Sequence, residues 1–505
     1  MTVGLSLLKV VCATFLASII FASPVHGDII STLKEKGFQV ISPTDNGYAN
    51  ASAPFNLRFS WKPAAVTYPR NAQDISEILK ISAEYKTSVS ARSGGHSYIA
   101  NALGGKDGAI VVDLSLLNTV QFNSDTNLAT IGTGNTLGNL ALALNANGRA
   151  MPHGTCPYVG IGGHAGHGGF GLSSRAWGLT LDTIESLEVV LASGEIVTAS
   201  EKSHPDLFWA LRGSSSSFGI VTSITAKTLA APSQVTTIRY SWDLATSDAA
   251  AAILSFQNYS QTFDIPPELG LELVMSKGSA PGRVFFRVQG GYYTPNVNGS
   301  LDAALNPLLQ TLPKPTTITV IPRSYIDSVT YFGGAGRLNT TVAPETPNTF
   351  YAKSLMVPER SPLTQQAVEM WTQYLGNEGF NASTTWFVDV ELYGGRNSAI
   401  NAVPTDATSF GRRDTLFTMQ FYTSAPGGLP PFPDDGFTLL DGMVDLIIQN
   451  SPKNWDYGAY ANYVDDRLVD WQRRYYDSHY PRLELLKTMY DPRDTFKFPT
   501  SIQDL

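Results

Sequence analysis

A glycine-rich stretch at residues 154–171, GTCPYVGIGGHAGHGGFG, constrains this chain more than any other feature of its sequence. Glycine has no Cβ atom, so a glycine-rich segment takes left-handed backbone angles without strain, and its backbone can lie directly against a flat or anionic ligand. The stretch also contains Cys156, one of only two cysteines in 505 residues. We therefore expect a loop that holds a ligand.

A nucleotide-binding motif is one interpretation of this stretch. Gly160 to Ala165 fit the loose G-x-G-x-x-A fingerprint of dinucleotide-binding folds, which requires a strand before the motif and a helix opening from it. The preceding residues Pro152 to Thr155 and the glycines that follow favour neither element. A Walker phosphate loop is excluded because no Gly-Lys-Ser/Thr follows. Backbone N–H groups of the loop can still bind a pyrophosphate.

The histidines and the cysteine of this region allow two other interpretations. His153, His164 and His167, joined by His96, could hold a metal, but their spacing is not that of a zinc site. We expect these histidines to hydrogen-bond the loop backbone instead, with no metal bound. Cys156 paired with His96 or His153 would indicate a thiol nucleophile for hydrolysis or acyl transfer. A thiol nucleophile does not need so many neighbouring glycines, and this disfavours the second interpretation.

Composition and charge exclude other classes of function. The formal net charge is −8, and no cluster of lysine or arginine occurs, which argues against a nucleic-acid or membrane-surface partner. Hydrophobic residues make up 43% of the chain, enough for large cores. The length corresponds to roughly two to four domains. We expect a monomer.

Residues 1–27 predict a secretory signal peptide, with Lys9, an apolar run from Val10 to Phe21 and small residues before a cleavage site near Gly27. The run is too short to span a bilayer, and an N-terminal anchor is the alternative. Asn-x-Ser/Thr sequons fit a secreted, extracellular glycoprotein. They lie at Asn50, Asn258, Asn298, Asn339 and Asn381.

Cysteine usage supports a bond to a ligand. Cys12 would leave with the signal peptide, so Cys156 would be the single cysteine of the mature protein and could form no internal disulfide. A lone thiol in an oxidising compartment is either buried and inert or committed to another bond. Because the neighbouring glycines offer few side chains for Cys156 to pack against, we expect its thiol to be bonded to another group.

Periodicity divides the chain into two kinds of segment. Helices and strands alternate before residues 230–233, where the character changes; residues 233–450 favour an antiparallel sheet covered by helices. The predicted helices are 71–85, 137–146, 203–211 with Ser203 as its cap, 363–375 and the aromatic-rich 466–490. The predicted strands are 89–91, 109–114, 128–132, 184–191 and 195–199 as a hairpin, 219–229, 284–288, 316–321, 386–393 and 416–422.

Two further motifs, together with the glycine stretch, resemble a known family. They are YPRN at residues 68–71 before a helix and SARSGGHSY at residues 90–98, and HGTC at residues 153–156 leads into the glycine stretch. The combination resembles the berberine-bridge-enzyme-like FAD-linked oxidases of the vanillyl-alcohol-oxidase superfamily. Within them it is most similar to fungal glucooligosaccharide and chitooligosaccharide oxidases, over residues 55–500.

The resemblance implies an α+β fold of two lobes, the PCMH-type FAD-binding fold, in which a large antiparallel sheet covered by helices forms the substrate domain. The implied FAD-binding domain spans residues 28–232 and the substrate-binding domain residues 233–450. Residues 451–505 would return to the FAD-binding domain and contribute the catalytic tyrosine.

The resemblance also implies FAD attached covalently through His96 and Cys156, at the 8α-methyl and C6 positions of the isoalloxazine ring. Val159 matches a position beside the flavin where a small aliphatic side chain admits O2. Serines at residues 214–217 stand where relatives have more glycine, and would alter a surface of the flavin pocket. The other implied cofactor contacts are Arg92, Ser93, Gly94, Gly95, Ser97, Gly154, Thr155, Gly160, Gly162, Gly163, His164, Gly169, Gly219 and Ile220.

Tyr463 matches the general base of the family. A tyrosine titrates near pH 10, so this role needs a stabilised phenolate or concerted transfer to a carboxylate. Asp389 and Glu391 lie two residues apart, hence on one face of a strand, where the family carries a glutamine and an aspartate. We predict that Glu391 is the partner of Tyr463. The predicted sugar contacts are Tyr98, Phe387, Asp389, Gln420 and Tyr460.

The predicted function is that of a secreted flavoprotein oxidase, which oxidises the anomeric C1 hydroxyl of an oligosaccharide to the lactone and reduces O2 to H2O2. In the alternative, the same tethered FAD acts on an alkaloid, phenolic or other secondary-metabolite alcohol. A secreted glycan-binding protein that merely retains FAD is the non-enzymatic alternative.

Overall fold

A computed structural model describes residues 28–505, so the predicted signal peptide lies outside the described residues. Within this range no helix is both long and apolar enough to cross a membrane.

The N-terminal part of the chain contains most of the short strands. They are β1 (Val40–Ile41), β2 (Ala65–Thr67), β3 (Val89–Arg92), β4 (Ile110–Asp113), β5 (Val120–Asn123), β6 (Leu128–Gly132), β7 (Arg149–Ala150), β8 (Ile184–Val190), β9 (Ile196–Ser200), β10 (Ile220–Lys227) and β11 (Leu229–Ala230). Its helices are α1 (Ile29–Glu35), α2 (Tyr48–Ala51), α3 (Ala72–Glu84), α4 (Leu137–Asn145), α5 (Ile161–Gly166), α6 (Ser174–Trp177) and α7 (Pro205–Ser214).

These strands form two main sheets. The first has the order β1-β2-β4-β3, in which β4 pairs in parallel with β2 and β3. Strand β4 is buried along its whole length, as expected of a central parallel strand covered on both faces. The second sheet is antiparallel, with the order β5-β6-β10-β8-β9. Helix α3 is capped by Asn71, whose side chain accepts a hydrogen bond from the Asp74 backbone N–H.

A seven-stranded antiparallel sheet dominates the middle of the chain, with the order β15-β12-β14-β13-β17-β18-β16. Its strands are β12 (Val235–Ala245), β13 (Leu269–Lys277), β14 (Arg283–Tyr292), β15 (Thr317–Arg323), β16 (Phe350–Pro358), β17 (Thr385–Leu392) and β18 (Thr415–Ser424). The helices of this part are α8 (Thr246–Thr262), α9 (Ser300–Leu309), α10 (Tyr325–Gly333), α11 (Gln365–Asn381), α12 (Ala399–Ala402) and α13 (Asp434–Gln449).

The two faces of this sheet differ in character. Val388 and Val390 of β17 belong to the hydrophobic core that the sheet shares with helices α8, α11 and α13. Because side chains alternate along a strand, Phe387, Asp389 and Glu391 face the opposite way. The antiparallel sheet with covering helices, predicted from the sequence, is confirmed, and its polar face is free to line a site.

The C-terminal segment packs against the N-terminal part through helices α14 (Trp471–Tyr476) and α15 (Tyr480–Tyr490). Leu483 and Ile502 share a buried core with Phe208 of α7. Lys487, which is fully buried, donates hydrogen bonds to the Asp491 carboxylate and the Ser217 carbonyl. Because the buried Lys487 ammonium has both partners in place, it holds the C-terminal segment against the N-terminal part of the chain.

Three local predictions differ from the structure. Helix α7 begins at Pro205 and not at a Ser203 cap, because proline at the first helical position supplies the helical φ while His204 before it is left-handed, at φ 49°. The helix predicted over 466–490 begins at Trp471 and is interrupted at Asp477, also left-handed at φ 51°. Helix α5, which the glycines disfavoured, does open from Gly160, although no strand leads directly into it.

Two buried arginines tie the seven-stranded sheet to the N-terminal part. Arg175 of α6 is completely buried and donates hydrogen bonds to backbone carbonyls that include those of Leu269 and Gly394. Arg413, just before β18, forms a 2.8 Å ion pair with Asp182. These contacts bring the polar face of the sheet opposite the glycine-rich loops.

Candidate active site

The two glycine loops of the N-terminal part meet back to back. A Cβ atom on Gly94 would lie 2.4 Å from the backbone nitrogen of Gly160, and a Cβ atom on Gly160 would lie 2.0 Å from that of Gly94. The Ser93 hydroxyl accepts a hydrogen bond from the Gly162 N–H, at 3.2 Å, and donates one to the Thr133 carbonyl. Glycine is required here because no other residue permits so close a contact between two backbones.

We expect two alanine substitutions in this loop to have opposite consequences. Gly160→Ala places a methyl group against backbone and should lower the free energy of unfolding by about 1–3 kcal/mol or more. At Gly163 an added Cβ atom meets nothing within 4 Å but projects beside the cavity described below. Gly163→Ala should therefore change the free energy of unfolding by less than about 0.5 kcal/mol, while it lowers the amount of cofactor bound per protein. Thermal unfolding and the cofactor-to-protein absorbance ratio measure the two effects, and equal stability of the two variants would contradict the packing argument.

His96 and Cys156 lie side by side where the two loops converge. The distance from His96 Nε2 to Cys156 Sγ is 3.7 Å, and His96 Nε2 lies 2.9 Å from Glu345 Oε2. The ring of Phe55 stacks on the imidazole with centroids 3.8 Å apart. Burial alone lowers the pKa of His96, but contact with Cys156 and Glu345 outweighs it and raises the pKa to about 9. The site therefore stabilises a positively charged imidazole.

The other histidines of the region contact the loop backbone. His153 Nδ1 lies 2.7 Å from the Gly154 carbonyl, His164 Nε2 accepts a 3.0 Å hydrogen bond from the Gly154 N–H, and His167 Nδ1 lies 3.0 Å from the Gly163 carbonyl. Burial, followed by the charge of His153, lowers the pKa of His164 to about 3, which suits a neutral acceptor. Within residues 28–505 the group with metal-ligand spacing is instead His96, Cys156 and Glu345.

A cavity of about 470 Å³ separates these loops from the polar face of the seven-stranded sheet. Its lining includes His96 and Cys156 on one side and Asp389, Gln420 and Tyr463 on the other. Most of the residues that the sequence predicted lie on it. Arg92, Gly169, Ile220 and Glu391 do not.

Tyr463 and Glu391 form a hydrogen-bonded pair at this cavity. The Tyr463 hydroxyl donates to Glu391 Oε1 at 2.7 Å, and Glu391 Oε2, although buried, has no hydrogen-bond partner among the described residues. Burial raises the pKa of Glu391 well above its usual range, partly offset by Tyr463 and reinforced by the charges of Glu272 and Asp389. Burial and the charge of Glu391 also raise the pKa of Tyr463. Both groups therefore favour their protonated forms. When Glu391 is ionised, it can accept the proton of the Tyr463 hydroxyl through this hydrogen bond.

Aromatic and amide groups extend the wall around Tyr463. The ring of Tyr98 stacks parallel to that of Tyr463, with centroids 6.1 Å apart, and its hydroxyl accepts a 2.7 Å hydrogen bond from Gln420 Nε2. Phe387 stacks on Tyr422 at 4.9 Å. Stacked rings beside hydrogen-bonding groups suit a ligand that has both a flat apolar surface and hydroxyls.

Tyr460, predicted as a substrate contact, has its hydroxyl engaged by the protein. That oxygen accepts hydrogen bonds from the N–H groups of Gly169 and Phe170, at 2.9 and 3.2 Å, and from Asn462 Nδ2 at 3.0 Å. The residue is almost completely buried. Its hydroxyl thus holds the C-terminal segment against the glycine stretch, which positions Tyr463 three residues later.

Sequence reasoning missed several residues of the site, among them Tyr422, Phe55 and Glu345. Tyr422 lies two residues after Gln420 on the same face of β18, so the two-residue period of a strand could have identified it. Phe55 and Glu345 come from loops far from their partners in sequence, and no local pattern marks either one. Arg92, predicted to contact the cofactor, instead forms a 2.6 Å ion pair with Asp113 and donates to the Ala51 carbonyl.

Comparisons with known proteins identify the family. A model described as "FAD binding domain" matches residues 63–200, and one described as "Berberine and berberine like" matches residues 459–503. The chain is 35% identical to a xylooligosaccharide oxidase of Thermothelomyces thermophilus, over 93% of both proteins. It is 34% identical to a chitooligosaccharide oxidase of Gibberella zeae, over 91% of this chain and 92% of that protein.

This chain belongs to the berberine-bridge-enzyme-like family of FAD-linked oxidases. Among solved structures, a glucooligosaccharide oxidase from Acremonium strictum, described with a 6-S-cysteinyl, 8α-N1-histidyl FAD, matches it with a TM-score of 0.88. The two are 30% identical over 95% of this chain and 100% of that chain. The family and the PCMH-type FAD fold predicted from the sequence are confirmed.

The cavity of this FAD-linked oxidase fits the cofactor. None of the backbone N–H groups of residues 94–98 donates a hydrogen bond to another group of residues 28–505, and Gly95 among them is left-handed, at φ 71°. Successive free N–H groups of this kind form an anion-binding concavity, suited to a pyrophosphate. The His96 imidazole and the Cys156 thiol line the same cavity.

Proposed function

We propose that this enzyme is an oligosaccharide oxidase with FAD bonded to both His96 and Cys156. It oxidises the anomeric C1 hydroxyl of its substrate to the lactone, and O2 is reduced to H2O2. The observation that carries the proposal is that one cavity is lined by the His96–Cys156 pair and by Tyr463, hydrogen-bonded to Glu391. The relatives named above are oxidases of xylo-, chito- and glucooligosaccharides.

FAD, when bound, supplies the acceptor for the hydride that leaves C1. The Tyr463 hydroxyl takes the proton of the C1 hydroxyl while it gives its own proton to Glu391, 2.7 Å away. The raised pKa of Tyr463 makes a free phenolate unfavourable, so the two transfers are concerted. Glu391 is buried away from water, and its hydrogen bond to Tyr463 orients the tyrosine.

The substrate wall combines stacking with hydrogen bonding. Phe387 offers a ring face to a sugar, while Asp389 and Gln420 offer polar atoms to its hydroxyls. Val159, on the opposite side of the same cavity, leaves room for O2 beside the ring. These residues support an oxidase that accepts a bulky, hydroxyl-rich molecule.

We expect Tyr98→Phe to lower kcat/KM about tenfold. Removing the hydroxyl leaves Gln420 Nε2 without its 2.7 Å acceptor and misplaces an amide that contacts sugar, and each such lost interaction costs about 1–3 kcal/mol. Because neither residue bonds the cofactor, the flavin content should stay at the wild-type level. Steady-state kinetics on a disaccharide check this, and an unchanged kcat/KM would show that the Tyr98–Gln420 pair takes no part in binding.

We further propose the domain arrangement and location of the protein. Residues 28–232 with 451–505 form the FAD-binding domain, and residues 233–450 the substrate-binding domain. The protein is a secreted monomer, cleaved near Gly27. Glycosylation is supported because the asparagines of all five sequons, at positions 50, 258, 298, 339 and 381, are exposed.

Acid precipitation tests the covalent attachment. The purified protein should be yellow, and after denaturation in acid the flavin should sediment with the chain. Peptide mass spectrometry should then find it on peptides that contain His96 and Cys156. Free FAD in the supernatant would refute the tether while leaving the family assignment intact.

The aromatic wall also favours a second candidate function. Tyr422 and Phe387, which both line the cavity, stack with centroids 4.9 Å apart, and this aromatic surface suits a flat alkaloid or phenolic alcohol. Peroxide release from a panel of cellobiose, xylobiose and chitobiose, compared with benzylic and alkaloid alcohols, distinguishes the two. Turnover of the second group alone would establish the alternative.

A further inference from the structure

Glu345 is a neighbour of both proposed tether residues and has no role in the function described so far. One carboxylate oxygen, Oε2, lies 2.9 Å from His96 Nε2, and the other, Oε1, lies 3.8 Å from Cys156 Sγ. The residue belongs to the loop between α10 and β16, and its side chain is 28% exposed. A single carboxylate therefore joins two residues that stand 60 positions apart in the sequence.

The 2.9 Å contact between the Glu345 carboxylate and His96 Nε2 decides which nitrogen of the imidazole is free. A carboxylate only accepts hydrogen bonds, so Nε2 carries the proton of this contact. Below its raised pKa of about 9 the imidazole is a cation; because Glu345 holds the Nε2 proton, the cation loses the proton on Nδ1, which then has a lone pair. Nδ1 makes no hydrogen bond within residues 28–505, and stacking on Phe55 fixes the plane of the ring.

We propose that Glu345 is the residue that prepares His96 for covalent attachment of the flavin, by holding the proton on Nε2 and leaving Nδ1 as the nucleophile. The inference rests on the covalent attachment proposed above. It agrees with the histidyl N1 linkage named for the Acremonium strictum enzyme, because N1 is the Nδ1 position. Glu345 is a positioning residue, since it acts through His96.

In the bonding step, one C–H bond of the 8α methyl group breaks with loss of a proton, its two electrons pass into the ring system, and the Nδ1 lone pair forms a C–N bond to the 8α carbon. O2, the oxidant of the proposed function, takes up the two electrons together with the methyl proton and the Nε2 proton, and leaves as H2O2. The imidazole becomes positively charged as Nδ1 forms its bond, and the Glu345 carboxylate stabilises that charge before accepting the Nε2 proton. Contact with Cys156, followed by this contact with Glu345, raises the pKa of His96 despite its burial.

Single-tether backgrounds separate the role of Glu345 from general effects on the pocket. In Cys156→Ser protein any covalent flavin is bonded to His96, and in His96→Ala protein any covalent flavin is bonded to Cys156. Glu345→Ala and Glu345→Gln are introduced into each background. Intact-mass spectrometry and in-gel flavin fluorescence after acid precipitation then follow the rate at which each chain gains FAD.

We expect Glu345→Ala to slow attachment about tenfold to a hundredfold in the Cys156→Ser background, by analogy with the loss found when a carboxylate that orients a metal-binding histidine is removed. Glu345→Gln keeps an acceptor oxygen but no charge, so its rate should be intermediate. In the His96→Ala background neither change should slow attachment by more than about twofold. Non-covalent FAD binding, measured from the absorbance of native protein, should be unchanged throughout.

Three outcomes would overturn the proposal. They are an unchanged rate for Glu345→Ala in the Cys156→Ser background, an equal loss in both backgrounds, and a parallel loss of non-covalent FAD. If Cys156→Ser protein with Glu345 intact carries no covalent flavin, the His96 tether itself is wrong, which is a failure of the proposed function.

Discussion

Replacing Tyr463 by phenylalanine is expected to lower kcat by about 10²–10⁴-fold, the contribution of a well-placed general base. The change removes one oxygen atom, the one that joins the cavity to Glu391 at 2.7 Å. The ring and its parallel stacking on Tyr98 remain, so substrate affinity should change little. Stopped-flow measurement of flavin reduction under anaerobic conditions isolates the affected step.

Tyr457→Phe is the matched control. Tyr457 belongs to the same C-terminal segment but is not part of the cavity lining, so its loss should leave the rate of flavin reduction within about twofold. The flavin content of both variants should equal that of the wild type. A Tyr463→Phe enzyme that reduces its flavin at the wild-type rate would show that another group removes the proton.

Glu391→Gln is expected to lower kcat by a similar factor and to remove the acid limb of its pH profile. An ionised Glu391 must accept the proton from Tyr463, and its pKa lies well above the usual range, chiefly because the carboxyl is buried. Activity of the wild type should therefore rise with pH through the raised pKa of Glu391. The amide cannot ionise, so the variant should show no such rise. Profiles of kcat for the two enzymes test this directly.

The same substitution should stabilise the fold at neutral pH. The pKa of Glu391 is higher in the folded than in the unfolded chain, so the folded state holds a proton that the unfolded state releases above its ordinary pKa, about 4.3. This carboxyl therefore costs stability that grows as pH rises above that value. Thermal unfolding should show Glu391→Gln to be more stable than wild type at pH 7 and equal to it near pH 4. A variant less stable at pH 7 would contradict the assigned cost of burial.

Local sequence patterns revealed much of the fold and one side of the site. The glycine run at residues 154–171 indicated a ligand loop, because the loss of side chains is visible in the sequence itself. The turn at residues 92–98 was assigned to the cofactor only through the family resemblance. The two-residue period of a strand likewise predicted that Asp389 and Glu391 share one face of β17. The same period runs through β12, where Ile238, Tyr240, Trp242 and Leu244 alternate with polar residues, although β12 was not among the predicted strands.

Long-range contacts could not be predicted in the same way. Glu345 lies 189 residues from Cys156 and sits in a loop with no periodic pattern, so only the folded chain brings it to His96. The break at Asp477 depends on a left-handed backbone angle in a segment whose composition favours a continuous helix. Both features arise from tertiary packing and not from local propensity.

The central claim is that sugar oxidation occurs at a tethered flavin. Its most direct test is anaerobic mixing of the purified enzyme with cellobiose, xylobiose and chitobiose, followed by admission of air and acid precipitation. At least one sugar should bleach the flavin absorbance, air should restore it with release of about one H2O2 per flavin, and the colour should sediment with the chain. A flavin that stays oxidised with every oligosaccharide, and is reduced by an aromatic alcohol, would contradict the account.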